Sequence, residues 1–295
     1  GDRAFPLDYM DLYAKLLKEC REANVLIVGV SKDSRAEFLR DKFLHQICSK
    51  ELQSLRASLS SEEIRALERC IENLEESPDS SFRIFHGLRR KHGSLLDRFE
   101  QILLEFMHAR SDFQLVLNFA SQPGYSTPME MGAVRRTKKE MEVMMKDPEG
   151  YVKRRFRKSI AEKAAKEGDF VNFASEVIGK VLDFPTIVSF HLLFDVRDTP
   201  LRIDVPSWFF GSENTLRNFM ETQFREGAKD RVEELIRMLK PGYAGLMDYN
   251  VWLKRADEQV KLQDKDMDNL YERVLEKELG LTLIHTRGYR RVKYP

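Results

Sequence analysis

The chain has little cysteine, no long apolar run and almost no net charge. Its 295 residues include only Cys20, Cys48 and Cys70, which are too few and too scattered for a disulfide framework or a zinc site. The absence of any uninterrupted apolar stretch of about 18 residues argues against a transmembrane helix. The opening residues, GDRAFPLDYMD, lack the apolar core of a signal peptide. We therefore expect a cytoplasmic protein with free thiols and no membrane partner.

The net charge limits the kind of nucleic-acid site that the chain can have, and the residue pattern predicts its class of fold. The formal net charge is +1, so a nucleic-acid site must come from locally clustered cations rather than from a general basic field. Apart from His285, the histidines are scattered without ligand spacing, and we expect each of these five to be structural. Amphipathic helical segments, among them 213–240, 249–279 and one that starts at a capping pattern (SSEE, 60–63), alternate with apolar strands, for which FRIFH at 82–86 is a short candidate. This alternation predicts an α/β or α+β fold rather than a helical bundle.

The most informative stretch is residues 25–35, VLIVGVSKDSR. Its apolar residues predict a buried strand that ends in a glycine turn, and Asp33 or Ser34 is expected to cap the helix that follows. Lys32 then emerges where the sheet ends, which is where ligands collect in α/β folds. A lysine at this place can neutralise a phosphate, and the adjacent hydroxyls can bind one of its oxygens. A solvated loop lysine is the alternative interpretation.

Asp112 is a candidate metal ligand. It comes directly before residues 113–119, FQLVLNF, which we interpret as another strand. A carboxylate at the start of a strand suits a hard divalent cation, because such ions prefer oxygen donors. The same carboxylate is equally suited to cap a backbone or to pair with Arg110.

A second acidic candidate lies in LRIDVP, residues 201–206. The alternation of a strand places Arg202 and Asp204 on one face and the apolar residues on the other. The two side chains either form an exposed ion pair, which contributes little to stability, or line a groove for DNA. Residues 185–194, PTIVSFHLLF, are predicted to pair with this strand through a turn at 195–200.

The clearest basic clusters lie in residues 134–167, a predicted helical segment rich in Lys, Arg, Glu and Met. Contacts with phosphates need flexible cations rather than a strict geometry, so clustering favours binding to a DNA backbone. The candidates of the second cluster are Arg154, Arg155, Arg157 and Lys158. Acidic neighbours dilute their field, and a solvated helix face is the alternative. A further basic patch, RGYRRVK at 287–293, suits nucleic acid or is simply a basic tail.

In their order and approximate spacing, three blocks resemble the NurA nuclease family: residues 25–35, 109–132 and 200–208. Members of that family process DNA ends together with the hexameric HerA ATPase. The resemblance implies an α/β, RNase H-like mixed sheet flanked by helices, with residues 134–167 as a helix-rich insertion. It also implies phosphodiester hydrolysis with a divalent metal, Mn²⁺ by family analogy, and a homodimer that binds DNA and a HerA-type hexameric ATPase. Residues 1–295 would then form a single NurA-like domain that lacks the first strands of the family.

The resemblance also assigns roles to residues. Lys32 matches a lysine of the nuclease site, in the pattern Gly29-Val30-Ser31-Lys32, and Asp112 is its catalytic companion. Asp112 and Asp204 are the expected oxygen ligands of the metal. The side chains expected to contact DNA are Ser31, Arg35, Arg154, Arg155, Arg157, Lys158 and Arg202.

The sequence departs from the family in two places. The acidic Asp-Gly-Ser motif that precedes the Ser-Lys strand in NurA proteins is missing, and Val251 stands where the family supplies a histidine. Valine neither binds a metal nor transfers a proton. These departures keep open a catalytically degenerate NurA-like module that binds DNA or a partner. A third hypothesis is an unrelated α/β interaction protein.

Overall fold

The computed structural model describes residues 5–32, 34–74, 77–108, 110–132, 135–157, 160, 167–219, 221–245 and 250–260. The chain divides into two compact units, Gly1–Glu234 and Leu235–Pro295. The described residues combine many helices with one small sheet. This composition confirms the predicted α/β class.

Most helices of the first half share an apolar core. They are α1 (Phe5–Glu22), α2 (Phe38–Leu55), α3 (Ser61–Glu72), α4 (Pro78–His92), a 3-10 turn (Gly93–Leu96) and α5 (Asp97–Met107). Fully buried Leu67, Phe85, Phe99 and Leu103 bring α3, α4 and α5 together, and Cys48 and Leu55 join them from α2. The predicted start of α3 is confirmed, because Ser60 and Glu63 form a complete capping box.

The later helices include the predicted basic insertion. They are α6 (Asp112–Phe119), α7 (Arg135–Lys146), α8 (Pro148–Arg155), α9 (Glu167–Leu182) and α10 (Lys229–Leu239). Buried Val152 of α8 packs with Val171, Ala174 and Val177 of α9, and Leu7 of α1 belongs to the same cluster. The apolar side of α8 is therefore part of the core, while Lys153, Arg154, Arg155 and Arg157 are exposed.

The sheet is antiparallel throughout its described strands. They are β1 (Gly29–Lys32), β2 (Gly124–Tyr125), β3 (Met129–Met131), β4 (Ile187–Leu193), β5 (Leu201–Pro206) and β6 (Gln223–Phe224). The order is β1-β5-β4-β3-β6, with β2 also paired to β4. The β4–β5 pair confirms the predicted hairpin. We expected a mixed sheet, but the short connection at 194–200 forces its two strands to run in opposite directions.

Three short apolar runs were predicted as strands, and the structure places them differently. Residues 25–28 precede β1, and Val25 is 51% exposed. Residues 82–86 lie inside α4, where Phe85 stacks on Phe99 with ring centroids 6.0 Å apart. Residues 113–119 belong to α6. Short apolar runs fit a strand or a buried helix equally well, so the partners available in the tertiary structure decide between them.

The segment before α10 was predicted to be helical from residue 213, but its described residues are irregular apart from the short strand β6. Its backbone bonds to residues near the start of β4 instead. The Thr186 N–H donates to the Asn214 carbonyl at 3.1 Å, and the Leu216 N–H donates to the Phe184 carbonyl at 3.0 Å. These bonds to a distant part of the chain replace the local bonds of a helix.

The second unit contains a 3-10 turn (Lys240–Gly242) and α11 (Val251–Val260). The Asn250 side-chain oxygen accepts from the N–H of Trp252 at 3.0 Å and from that of Leu253 at 3.2 Å, so it caps this helix. A Cβ atom at Gly242 would lie 2.6 Å from the Asn250 amide nitrogen, so the close approach requires glycine. The predicted helix beyond residue 260 and the basic patch at 287–293 lie outside the described residues.

Two further observations concern membrane-spanning helices and the cysteines. Along the described ranges, no helix has the length and apolarity that crossing a bilayer requires. All three cysteines are free, with Cys48 and Cys70 buried and Cys20 half-buried. Burial raises the pKa of the Cys48 thiol to about 11 and that of Cys70 also to about 11, so both stay protonated at neutral pH.

Candidate nucleic-acid interface

Polar side chains from three neighbouring strands share one side of the sheet. In the register of the sheet, Arg202 lies between Ser31 on β1 and His191 on β4, while Asp204 lies between Gly29 and Ser189. Directly paired residues project to the same face of a sheet. We call this side the polar face, defined by Ser31, Ser189, His191, Arg202 and Asp204. The predicted alternation of residues 201–206 is confirmed, since Leu201, Ile203 and Val205 are buried on the other side.

Arg202 is at the centre of the polar face. Its Nε donates to Asp204 Oδ1 at 2.9 Å and to Ser189 Oγ at 3.1 Å. Its guanidinium carbon lies 5.6 Å from the centre of the Phe38 ring, within cation–π distance. These contacts fix the guanidinium plane, and its side chain is only 18% exposed. The N–H groups on Nη1 and Nη2 donate to no other described residue and can form a two-pronged contact with an anion.

Asp204 is the more accessible partner of this pair, with 30% of its side chain exposed. Its neighbour across the strand is Gly29, where a Cβ atom would lie 3.4 Å from the Asp204 Cβ. The small residue leaves space beside the carboxylate. Because Oδ1 accepts from Arg202, the two charges partly offset each other at the surface of the polar face.

His191 was expected to be structural, and the structure gives it an unusual environment. The residue is 3% exposed, and neither ring nitrogen has a hydrogen-bond partner among the described residues. Burial, reinforced by the nearby Arg202 charge and opposed by Asp204, lowers the pKa of the imidazole to about 4. The ring is therefore neutral at physiological pH. The alternation of Ser189 and His191 with Val188, Phe190 and Leu192 was the sequence signal that placed it beside Arg202.

Asp112 lies at the first position of α6 rather than at the start of a strand. Its Oδ1 accepts from the Arg40 N–H at 2.8 Å, and its Oδ2 accepts from the Leu39 N–H at 3.0 Å. The carboxylate thus caps the first turn of α2, whose N-cap residue, Glu37, makes no side-chain capping bond. Of the two expected caps, Ser34 instead accepts from the Ala36 N–H at 3.2 Å, and Asp33 lies outside the described residues. Burial raises the pKa of Asp112, while these two N–H groups and Arg202 oppose that rise.

The helical start at Asp112 had a sequence signal that the prediction missed. Ser111 and Gln114 form a capping box, with each side chain bonded to the backbone N–H of the other residue. The spacing Ser-x-x-Gln is the pattern expected at the beginning of a helix. It outweighs the apolar run that follows, which led to the strand interpretation.

Residues of the first NurA-like block, 25–35, project to different faces of the sheet. Lys32 pairs with Leu201, so its side chain projects to the face opposite Arg202, whereas Ser31 projects to the polar face. Arg35 is exposed in the connection between β1 and α2. The structure therefore brings Ser31, Arg202 and Asp204 together, places Asp112 near enough to sense the Arg202 charge, and directs Lys32 to the other face.

The basic insertion is a separate surface whose charges are partly compensated. Arg154 lies 3.6 Å from an Asp147 oxygen, and Lys153 lies 4.0 Å from Glu149. Arg155 hydrogen-bonds to the Tyr151 hydroxyl, whose pKa is raised mainly by burial. Arg157 is exposed, and Lys158 lies outside the described residues. Local acidic partners thus reduce the field of this cluster, as expected for a solvated helix face.

The described residues do not bring together a metal centre. Both Asp112 oxygens accept backbone hydrogen bonds, and Asp204 Oδ1 accepts from Arg202. Among the described side chains, no three or more His, Cys, Asp or Glu residues converge in a way that could hold a metal ion. Asp204 by itself offers a single accessible carboxylate, and a divalent cation requires more ligands than that.

Comparisons of this chain with protein families, with curated proteins and with solved structures give no match. The resemblance to NurA therefore rests on the three sequence blocks. The first supplies β1, the second supplies α6, β2 and β3, and the third supplies β5 and the start of the 3-10 turn at Ser207–Phe210. All three blocks contribute strands to the same sheet, and β1 pairs directly with β5. The chain is an α/β protein.

Proposed function

We propose that the chain is a NurA-like module that acts on DNA ends and hydrolyses phosphodiester bonds with a divalent metal ion. The proposal includes an RNase H-like core, a cytoplasmic location, a homodimeric state and a HerA-type hexameric ATPase as partner. Its support is the convergence of the three NurA-like blocks on one sheet. Their Ser31 and Arg202 lie side by side there, although they are 171 positions apart in the sequence.

The observation that carries the proposal is the fixed guanidinium of Arg202 on the polar face. Asp204 and Ser189 hold its Nε, and Phe38 lies against its plane. A guanidinium held in this way is suited to a phosphate, because two parallel N–H groups match two phosphate oxygens. The Ser31 hydroxyl belongs to the same row and can donate to the same group. In this role Arg202 binds and orients a phosphodiester.

A second candidate function is a catalytically degenerate NurA-like module that binds DNA or a partner. It is favoured by the backbone hydrogen bonds that occupy the Asp112 carboxylate and by Val251 at the place of the family histidine. Hydrolysis then requires ligands beyond those that the described residues bring together. Both candidates share DNA binding through Arg202, and they differ in whether the bound strand is cut.

The deciding experiment measures cleavage of end-labelled linear DNA with and without manganese, together with binding by mobility shift. We expect Arg202→Gln to weaken DNA binding about tenfold or more, because it removes charge-assisted hydrogen bonds. Arg197→Gln is the matched control. Arg197 lies on the β4–β5 turn of the same hairpin, its side chain is 91% exposed, and its partner is the local Asp195.

The outcomes separate the two candidates. Manganese-dependent cleavage that falls in Arg202→Gln and persists in Arg197→Gln supports the nuclease. Binding that depends on Arg202 without cleavage supports the degenerate module. Lys32→Ala is included because the family role predicts loss of cleavage, although its side chain projects away from Arg202. Equal DNA binding by the wild type and Arg202→Gln would refute the role of the polar face in both candidates.

A further inference from the structure

A cavity of about 270 Å³, which shares no lining residue with the polar face, lies between α1, the end of α9 and the segment that follows β5. One stripe of α1 forms its first wall through Ala14, Leu17, Lys18 and Arg21. These positions follow the spacing i, i+3, i+4 and i+7, which places them on one face of a helix. The volume is close to the lower end of the range for small-molecule sites.

The opposite wall is held rigidly by a buried carboxylate. Glu130 is 1% exposed, and its Oε1 accepts from the Ser212 hydroxyl at 2.9 Å, from the Asn214 amide at 2.9 Å and from the Thr186 hydroxyl at 2.6 Å. Its other oxygen lies 3.3 Å from Arg225 Nη1. Ser212 and Asn214 also line the cavity. The wall is therefore formed before any ligand arrives, which lowers the entropic cost of binding.

An aromatic ring and several cations face this cavity. Trp208 is half-buried in the lining, and the Arg21 guanidinium carbon lies 5.9 Å from the centre of its ring. Arg21 also pairs with Glu213 across the cavity mouth. Lys18 lines the same mouth and is 75% exposed, with Glu22 no closer than 3.8 Å. Lys180 also lines the cavity, but its ammonium lies 2.7 Å from Asp11 Oδ1 and 2.7 Å from Glu176 Oε1, so its charge is compensated.

We propose that this cavity binds an unpaired base of single-stranded DNA, with the base stacked on Trp208 and its phosphate held by Lys18 and Arg21. Stacking on an aromatic ring beside cations is the general mode of single-strand recognition. Ser212 and Asn214 line the cavity but donate their hydroxyl and amide to Glu130, so the base is held by stacking rather than by contacts to its edge. Arg21 is half-exposed and can move from its position above the indole to admit the ring. The site goes beyond the proposed function, because it requires neither hydrolysis nor contact with Arg202.

The chain offers a direct spectroscopic test, since Trp208 and Trp252 are its only tryptophans. Trp252→Phe leaves Trp208 as the single emitter. Titration of this variant with hexadeoxyadenylate is expected to quench the emission, because a stacked base quenches indole fluorescence. The same hexamer with abasic sites supplies the phosphates without the bases and is expected to leave the emission unchanged. Quenching by the abasic hexamer equal to that by hexadeoxyadenylate would overturn the proposal.

Affinity measurements with a labelled hexamer give an independent readout. Trp208→Ala is expected to weaken binding about 5- to 150-fold, the range for loss of one stacked base. Trp208→Phe keeps an aromatic platform and is expected to bind within a few-fold of the wild type, which separates stacking from a general loss of structure. Trp208→Ala that unfolds like the wild type and binds with unchanged affinity would rule out the site.

Two further arms identify the source of the base and separate this site from the polar face. Titration with dAMP tests a free nucleotide, and dAMP binding tighter than that of the hexamer would overturn the assignment to a DNA strand. Arg202→Gln in the Trp252→Phe background is expected to leave quenching by dAMP unchanged. Failure of the Arg202 prediction with retained quenching would refute the proposed function alone, whereas loss of quenching with an intact Arg202 effect would refute the base site alone.

Discussion

The Asp112 carboxylate accepts a 2.8 Å hydrogen bond from the backbone N–H of Arg40, a residue 72 positions earlier in the chain. The start of α6 and the start of α2 are bonded in both directions, because the Asp112 N–H in turn donates to the Ala36 carbonyl at 2.7 Å. Arg40 is itself buried and donates to the Glu105 carbonyl. A side chain that resembled a metal ligand thus joins the start of α6 to the start of α2.

Asp112→Ala is expected to lower the free energy of unfolding by about 2 kcal/mol, since it leaves two buried N–H groups of α2 without an acceptor. Urea unfolding followed by circular dichroism measures the change. Asp230→Ala is the control, because Asp230 is exposed in the first turn of α10, and we expect a change within about 0.5 kcal/mol. Wild-type stability in Asp112→Ala together with loss of manganese-dependent cleavage would contradict the capping role and favour the metal ligand.

His191→Leu is expected to make the protein less sensitive to acid. The folded state lowers the pKa of His191 from 6.5 to about 4, so the unfolded chain binds the proton more tightly. Wild-type stability therefore falls as the pH drops from about 6.5 to about 4, and the histidine accounts for about 3 kcal/mol of this loss. Unfolding free energies measured from pH 7 to pH 4 should decline less in the variant. Parallel curves for the two proteins would mean that His191 binds its proton equally well in the folded and unfolded states, which would contradict the prediction.

Glu130→Ala is expected to destabilise the first unit by about 3–5 kcal/mol, because Arg225 and three hydrogen-bond donors lose their buried acceptor. Glu226→Ala, at an exposed position just after β6, the strand that pairs with the Glu130 strand, is expected to have little effect. Thermal and urea unfolding provide the comparison. A small change at Glu130 would mean that residues 207–215 keep their position without the carboxylate.

Ser60→Ala is expected to cost about 1 kcal/mol, the usual value for a lost helix cap, because the Glu63 N–H loses its acceptor. The adjacent Ser61→Ala tests the same chemical change one position inside the helix, where its hydroxyl makes no capping bond. We expect a difference of a few tenths of a kcal/mol there. Equal losses at both serines would indicate a cost of removing the hydroxyl that is unrelated to capping.

The correct and incorrect predictions differ in the range of the interactions involved. The capping box at Ser60 and the alternation of Arg202 and Asp204 with apolar residues were readable, because their causes lie within four residues. Residues 82–86 and 113–119 were misread as strands, since mainly apolar runs of five to seven residues satisfy either period. Their helices depend on neighbours such as Phe99, and on the Ser111–Gln114 box that the apolar pattern obscured.

The sequence by itself determined the α/β class, the β4–β5 hairpin and the pairing of Arg202 with Asp204 on one strand face, because helical and strand periods and turn residues act locally. Tertiary structure decided which side chains meet. The register of β1 against β5 sends Ser31 towards Arg202 and Lys32 away from it, since a shift of one residue exchanges the faces of a strand. Packing of α6 against α2 likewise gave Asp112 two backbone donors, a role that no local pattern could reveal.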